Sequence, residues 1–402
     1  MKTIAIAGTF DSKGTEYSYV KELIENFGVN TFTIHTGVYE PAFKPDVSNT
    51  EVAAEAGEDI KAIVAEGDRA WATEILSKGM EELVPKLFKE GKFDGIISFG
   101  GTGGTSLVTP AMRKLPIGIP KIMVSTVASG NTEQYIGTSD IIMIPSVVDV
   151  AGLNSISTKI FSNAVFAIVG MVKYGNFKNI EKKPLVAATM FGVTTPCVNF
   201  AREYLEKRGY EVLIFHATGV GGRSMEDLVR AGFIEGVLDL TTTEWCDEIV
   251  GGVLNAGSNR LEAAGQCGIP QVVSVGALDM VNFGGFESVP VKFKKRNLYK
   301  HNPTVTLMRT NMEENQVIGA KIAEKLNMAK GKTVLMLPLK GVSGIDAKNQ
   351  PFYGAEEDAM LFKTLKDNIH KDTVELQELD LHINDQAFAE AAAQKLIDLM
   401  NK

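Results

Sequence analysis

The strongest constraint on the fold is a restart. An apolar run, a polar loop and an amphipathic stretch near the N-terminus recur, without a gap, 181 residues further on. Ala7 aligns with Ala188, Phe10 with Phe191, Glu22 with Glu203, Glu25 with Glu206, Gly28 with Gly209 and His35 with His216. One inserted residue later, Thr36-Gly37-Val38 aligns with Thr218-Gly219-Val220, and Gly118-Ile119-Pro120 is echoed by Gly268-Ile269-Pro270. In each copy a short strand pattern runs through a loop into a helix with one apolar face, and a glycine stops that helix before the next strand. This is a βαβ unit, and so long a period suits two tandem open-sheet domains rather than a solenoid. The restart is read as an internal duplication of a βαβ-based domain, with chance likeness between two βαβ units as the alternative.

The rest of the chain keeps the alternation. Strands are expected at Thr3 to Thr9, Thr31 to His35, Gly95 to Phe99, Lys121 to Ser125 and Ile141 to Ile144. Helices are expected at Glu16 to Phe27, over nearly all of 50–91, from Ser106 onward and at Ile156 to Val172. Lys173 to Pro184 reads as a linker, and Leu185 to Met190 opens the second series of strands. The fold class expected is therefore α/β, with two tandem Rossmann-like, doubly wound domains and mainly parallel sheets, at 1–178 and 184–402.

A formal net charge of -8 argues against nucleic acid as a partner, since a phosphate backbone needs a basic face. The basic run Lys292 to Arg296 is a solvated loop or a contact for an anionic substrate. Three widely spaced cysteines, Cys197, Cys246 and Cys267, make no CxxC pair and fit a reducing, cytoplasmic setting. The opening apolar run is too short for a signal peptide, and no stretch is apolar for long enough to suggest a membrane span.

Open α/β sheets bind ligands beyond the carboxyl ends of their strands, where the strand order switches. Three loops of the first domain meet that description. Gly100, Gly101, Thr102, Gly103, Gly104 and Thr105 form a turn almost free of Cβ atoms, so backbone N–H groups can approach an anion. No lysine follows, so it is not a P-loop, and Ser106 stands where a dinucleotide fingerprint needs glycine. The loop Thr9-Phe10-Asp11-Ser12-Lys13 offers a cation for phosphate in Lys13 and a Mg²⁺ ligand in Asp11, or else a helix cap. Thr126, Ser129 and Gly130 belong to a hydroxyl-rich loop that suits ribose or phosphate, or a set of turns. Thr36, just past the second strand, is counted with them. His35 and His216 are read as core histidines.

In the second domain Arg260, His301 and Arg309 are candidates to hold an acceptor's negative charge, and Glu262 or Asp279 to act as general base or metal ligand.

Gly8 to Lys13, Phe99 to Thr105 and Ser125 to Gly130 resemble the N-terminal half of the ATP-binding family of the tomato tobamovirus-resistance protein. Asn259 to Gly265, Gly276 to Gly284 and Asn297 to Pro303 resemble its C-terminal half. The resemblance implies an ATP site on the three first-domain loops, two Rossmann-like domains and a homodimer. Some members of that family are fused to a TIM-barrel domain. The function expected is an ATP-dependent transferase, ligase or hydrolase, acting with Mg²⁺ on a small anionic metabolite between the domains. A non-catalytic nucleotide sensor and a nucleotide-sugar transferase are the alternatives.

Overall fold

The computed structural model describes residues 1–175 and 183–401 and falls into two compact units, Met1–Asn179 and Ile180–Lys402. Of the linker expected at Lys173 to Pro184, residues 176–182 lie outside the described residues.

The first unit runs β1 (Thr3–Gly8), α1 (Gly14–Asn26), β2 (Asn30–His35), α2 (Asn49–Glu55), α3 (Ile60–Glu66), α4 (Arg69–Lys89), β3 (Gly95–Gly100), α5 (Thr102–Arg113), β4 (Lys121–Ser125), α6 (Glu133–Ile136), β5 (Ile142–Pro145) and α7 (Ser157–Tyr174). Its five strands are all parallel, in the order β2-β1-β3-β4-β5. β3 and β4 are buried throughout, which is why they read as near-continuous apolar runs. Leu76, Met80, Leu107 and Met112 cover one face of the sheet, and Tyr17, Ile24, Phe161 and Ile168 the other.

The stretch 50–91 is nearly all helical, as expected, and is divided into three helices. Gly57 and Gly67 take left-handed φ of 80° and 69°, and Ser48, Asp59 and Asp68 each accept a backbone N–H at the start of α2, α3 and α4.

The second unit runs β6 (Leu185–Met190), α8 (Thr195–Glu206), β7 (Glu211–His216), α9 (Val220–Arg230), β8 (Gly236–Thr241), α10 (Glu244–Val250), α11 (Ala263–Cys267), β9 (Gln271–Gly276), β10 (Met280–Phe283), β11 (Leu298–Asn302), β12 (Val305–Arg309), α12 (Met312–Asn327), β13 (Thr333–Pro338), α13 (Ala355–Asn368), β14 (Val374–Leu379) and α14 (Gln386–Met400). Six parallel strands stand in the order β7-β6-β8-β9-β13-β14. Each unit is thus a Rossmann-like α/β sheet that begins second, first, third, fourth along its own strands. A small antiparallel sheet, β10-β12-β11, is added to the second unit. The sequence reading missed two of its strands because β10 is only four residues long and β11 is largely exposed. Among the described residues no helix is long and apolar enough to cross a membrane.

Candidate anion-binding cleft

In the first unit β1 is flanked by β2 on one side and β3 on the other, so the chain switches direction across the sheet between β1 and β3. A cleft of about 680 Å³ opens at that point. Thr9, Asp11, Lys13, Thr36 and the backbone of Gly101, Thr102, Gly103 and Gly104 line it. Ile63, Ala72, Leu76 and Leu107 give it an apolar side.

The glycine run is not a loop ahead of the helix, as expected from sequence. It is the first turn of the helix itself, since α5 starts at Thr102. Gly101 occupies the N-cap position and has no side chain to cap with. The first N–H to find an intrahelical carbonyl is that of Thr105, on Gly101 O at 3.0 Å. The N–H groups of Thr102, Gly103 and Gly104 therefore have no acceptor within the helix, and their residues face the cleft. A Cβ on Gly100 would stand 3.1 Å from Gly104 Cα, so the strand-to-helix turn is too tight for a side chain there.

The sequence-predicted residues divide. Phe10 is fully buried, stacked on Phe43 and His35, and shapes the first loop from beneath. The Thr105 hydroxyl donates to Gly101 O at 2.8 Å and meets Ser125 Oγ at 2.6 Å, pinning α5 to β4. Thr126, Ser129 and Gly130 are exposed and, like Phe10, Gly100 and Thr105, lie outside the cleft lining. Asp11 accepts the N–H of Ser12 on one carboxylate oxygen and that of Tyr39 on the other, at 2.7 and 3.1 Å. The Lys13 ammonium donates to Val150 O. Thr36 is 1% exposed, and its hydroxyl has no partner among the described residues. His35 is a satisfied core residue, accepting the Phe10 N–H and meeting Tyr39 O; His216 is exposed at the end of β7. Arg69, Asp68, Tyr39 and Asp149 also line the cleft and were not singled out from sequence. Only Asp68 left a signal there, as a helix-capping residue. Among the described residues no group of three or more His, Cys, Asp or Glu is placed to hold a metal ion.

In the second unit the acceptor set does not assemble. Arg260 is buried, and its guanidinium is spent on Asp239 at 2.5 and 2.7 Å, Glu244 at 2.7 Å and Glu226 at 3.5 Å. It is corrected from an anion receptor to the hub of an internal ion cluster. Glu244 also takes the N–H groups of Gly219 and Gly222 at 2.7 and 3.1 Å, so the glycine-bearing turn that starts α9 already holds a carboxyl group, one from its own chain. Arg309 donates to Asp358 at 2.7 Å and to the carbonyls of Phe352 and Gly354 at 2.7 and 3.2 Å, again leaving little for a ligand. Asp279 is fully buried, accepts the Ser343 hydroxyl at 2.7 Å and keeps one oxygen without a partner. Glu262 pairs with Lys325, and His301 is exposed on β11.

Burial pushes Glu226 and Glu244 up from the usual carboxylate range, against the opposing pull of Arg260. Burial likewise raises Asp279 to about 7 and, with Asp346 beside it, Asp358 to about 8. All four carboxyls bind protons more tightly folded than unfolded; for Asp279 and Asp358 that contribution to stability is complete below about pH 4 and is lost as the pH rises through 7 to 8. Urea unfolding of the second unit is expected to show a falling midpoint between pH 5 and 8. Asp358→Asn should flatten that slope, and a slope as steep as wild type would exclude this group as its source.

A two-unit, parallel-sheet α/β protein with an open, glycine-walled cleft in its first unit is the class these observations define. The chain belongs to the family described as Uncharacterised protein family (UPF0261), whose N-terminal domain matches residues 2–176 and whose C-terminal domain matches 183–400. A UPF0261 protein of Clostridium tetani is 58% identical over the full length of both chains. One from Rhizobium meliloti is 43% identical, also over both full lengths. The ToMV resistance protein Tm-1(GCR237) of Solanum lycopersicum is 48% identical over 83% of this chain and 45% of its own.

Proposed function

We propose that the first unit binds a nucleotide through its phosphates, with ATP and Mg²⁺ as the ligand pair. The observation that carries this reading is the uncapped first turn of α5, which presents three backbone N–H groups to a cleft at the strand-order switch. A helix N-terminus favours an anion through those donors and through its dipole, and glycine lets the anion approach them. The apolar side of the cleft, with Ile63, Leu76 and Leu107, suits a base, and the hydroxyls of Thr9 and Thr36 suit ribose or phosphate. Mg²⁺ would arrive on the phosphates and be held through water by Asp11 or Asp149, since the third carboxylate on the lining, Asp68, caps α4.

A nucleotide-sensing binding protein is favoured over an ATP-dependent enzyme. Arg260 and Arg309 are committed to separate internal clusters, which leaves no assembled acceptor set in the second unit. Calorimetric titration with Mg-ATP, run beside an assay for phosphate release, tests both readings. Saturable binding without release above background is the expected result. Turnover with a small carboxylate would restore the enzyme, preference for a UDP-sugar would support the transferase, and no heat at millimolar ATP would sink the nucleotide reading.

A further inference from the structure

We propose that β11, the free edge of the small antiparallel sheet in the second unit, docks a short, extended, acidic segment of a partner protein.

The sequence around β11 carries charge of one sign. Asp and Glu make up 49 of the 402 residues, yet none stands between Glu287 and Glu313. Lys292, Lys294, Lys295, Arg296, Lys300 and His301 lie in that span. The structure commits only some of them. Arg296 donates to both carboxylate oxygens of Glu314, at 2.8 and 2.9 Å. Lys294 meets Glu287 at 3.3 Å, but that side chain is 92% exposed and water screens the pair. Lys292, Lys295 and Lys300 are exposed and have no ion pair among the described residues.

The fold then brings cations together. Lys294, from the segment before β11, and Lys300, on β11 itself, stand over one ring, that of Phe286, at 5.6 and 4.4 Å from its centre. Lys292 stands over Phe293 at 4.5 Å. Each ring holds its ammonium group favourably. Two ammonium groups on one ring still repel each other, and an anion from outside relieves that repulsion.

Backbone geometry says what carries the anion. β11 pairs with β12 alone, so alternate N–H and C=O groups along its other side have no strand partner. An open edge of this kind accepts an added strand. Its lysines decide which strand is accepted. A second β11 would oppose cation to cation, and an apolar strand would cover the ammonium groups without pairing them. Carboxylates at alternate positions of an extended chain pair with them. The register shift between Lys300 and Asn302 breaks the ladder, which limits the segment to a few residues. A nucleic acid has no N–H and C=O ladder to match the edge, and a net charge of -8 opposes a long polyanion.

The test follows the fluorescence anisotropy of a short labelled peptide of alternating Glu and Val as the full chain is added. Saturable binding that weakens with added salt is expected. Lys300→Glu should weaken it by at least about 10-fold, through the lost contact and the added repulsion, with an unchanged unfolding midpoint because Lys300 is exposed. Lys300→Arg keeps the charge and should keep most of the affinity. The same peptide with every backbone nitrogen methylated cannot extend a ladder and should bind far more weakly. Equal binding of the methylated peptide would mean that charge alone attracts it, and would overturn docking on the edge. So would an affinity unchanged by Lys300→Glu, or no binding of the parent peptide at millimolar protein. A single-stranded RNA homopolymer is expected not to displace the peptide. If it binds more tightly than the peptide and is lost in Lys300→Glu, the surface belongs to nucleic acid and the proposal falls.

Discussion

Replacing Arg260 with leucine is expected to lower the unfolding free energy of the second unit by about 3–5 kcal/mol, the usual result of removing one partner from a buried ion cluster. Among the described residues the guanidinium is the one buried cation paired with the three buried carboxylates Asp239, Glu244 and Glu226; Arg230 meets Glu226 from the surface side, where it also pairs with Asp227. With total stabilities of about 5–15 kcal/mol, such a loss is a large share of what holds a unit folded. Without Arg260 the carboxyls would take up protons, so the loss should be larger at pH 8 than at pH 5. Lysine at 260 would restore charge but reach only one of the partners that the fork now spans. The two units need not unfold together, so the measurement must see one of them. Trp245 supplies the probe. It is 1% exposed on α10, directly after Glu244, while the other tryptophan, Trp71, lies in the first unit. Urea unfolding followed by Trp245 fluorescence in a Trp71→Phe background should show the shift, and an unchanged midpoint at pH 8 would contradict the account.

Arg260 also shows where the sequence stopped being legible. An arginine beside a loop reads the same whether it waits for a substrate or balances buried acids. Its partners Asp239, Glu244 and Glu226 lie 16 to 34 positions away along the chain, and only the packing of α9, β8 and α10 brings them to it. Arg309 was opaque for the same reason, because Asp358 belongs to a helix 49 positions further on. The sheets were legible because their pattern is local: buried parallel strands are apolar runs, and a glycine ends the helix that precedes the next strand. The start of α5 was misplaced because glycine is a poor helix former, and the pattern there read as a loop. The helix forms regardless, since Leu107, Val108, Ala111 and Met112 are buried and anchor the turns that follow. Thr9, Asp11, Lys13, Gly101, Gly103 and Gly104 stood out by type and position, and the structure places them on the cleft lining. Arg69 did not, since nothing local marks a surface arginine that the fold places beside α5.

That geometry sets the second large effect. Gly103→Val is expected to weaken binding of Mg-ATP by more than about 100-fold while leaving the first unit folded, because it removes access to several charge-assisted contacts at once. Valine is a better helix residue than glycine, so α5 itself should not be weakened. Among the described residues outside its own helix, a Cβ at 103 meets only Arg69 Nη2, at an ordinary 3.6 Å. Its two methyl groups would extend further, over the first-turn N–H groups and against the guanidinium. Gly100→Ala provides the contrast. Its Cβ would press on Gly104 Cα at 3.1 Å, so it should disturb the strand-to-helix turn and lower the unfolding midpoint of the first unit even without ligand. Titration and urea unfolding of the two variants separate the possibilities. Loss of binding at an unchanged midpoint in Gly103→Val places the anion on the first turn of α5. Full binding by that variant would remove α5 from the site and leave the phosphate, if the protein takes one, to Lys13 and the loop after β1.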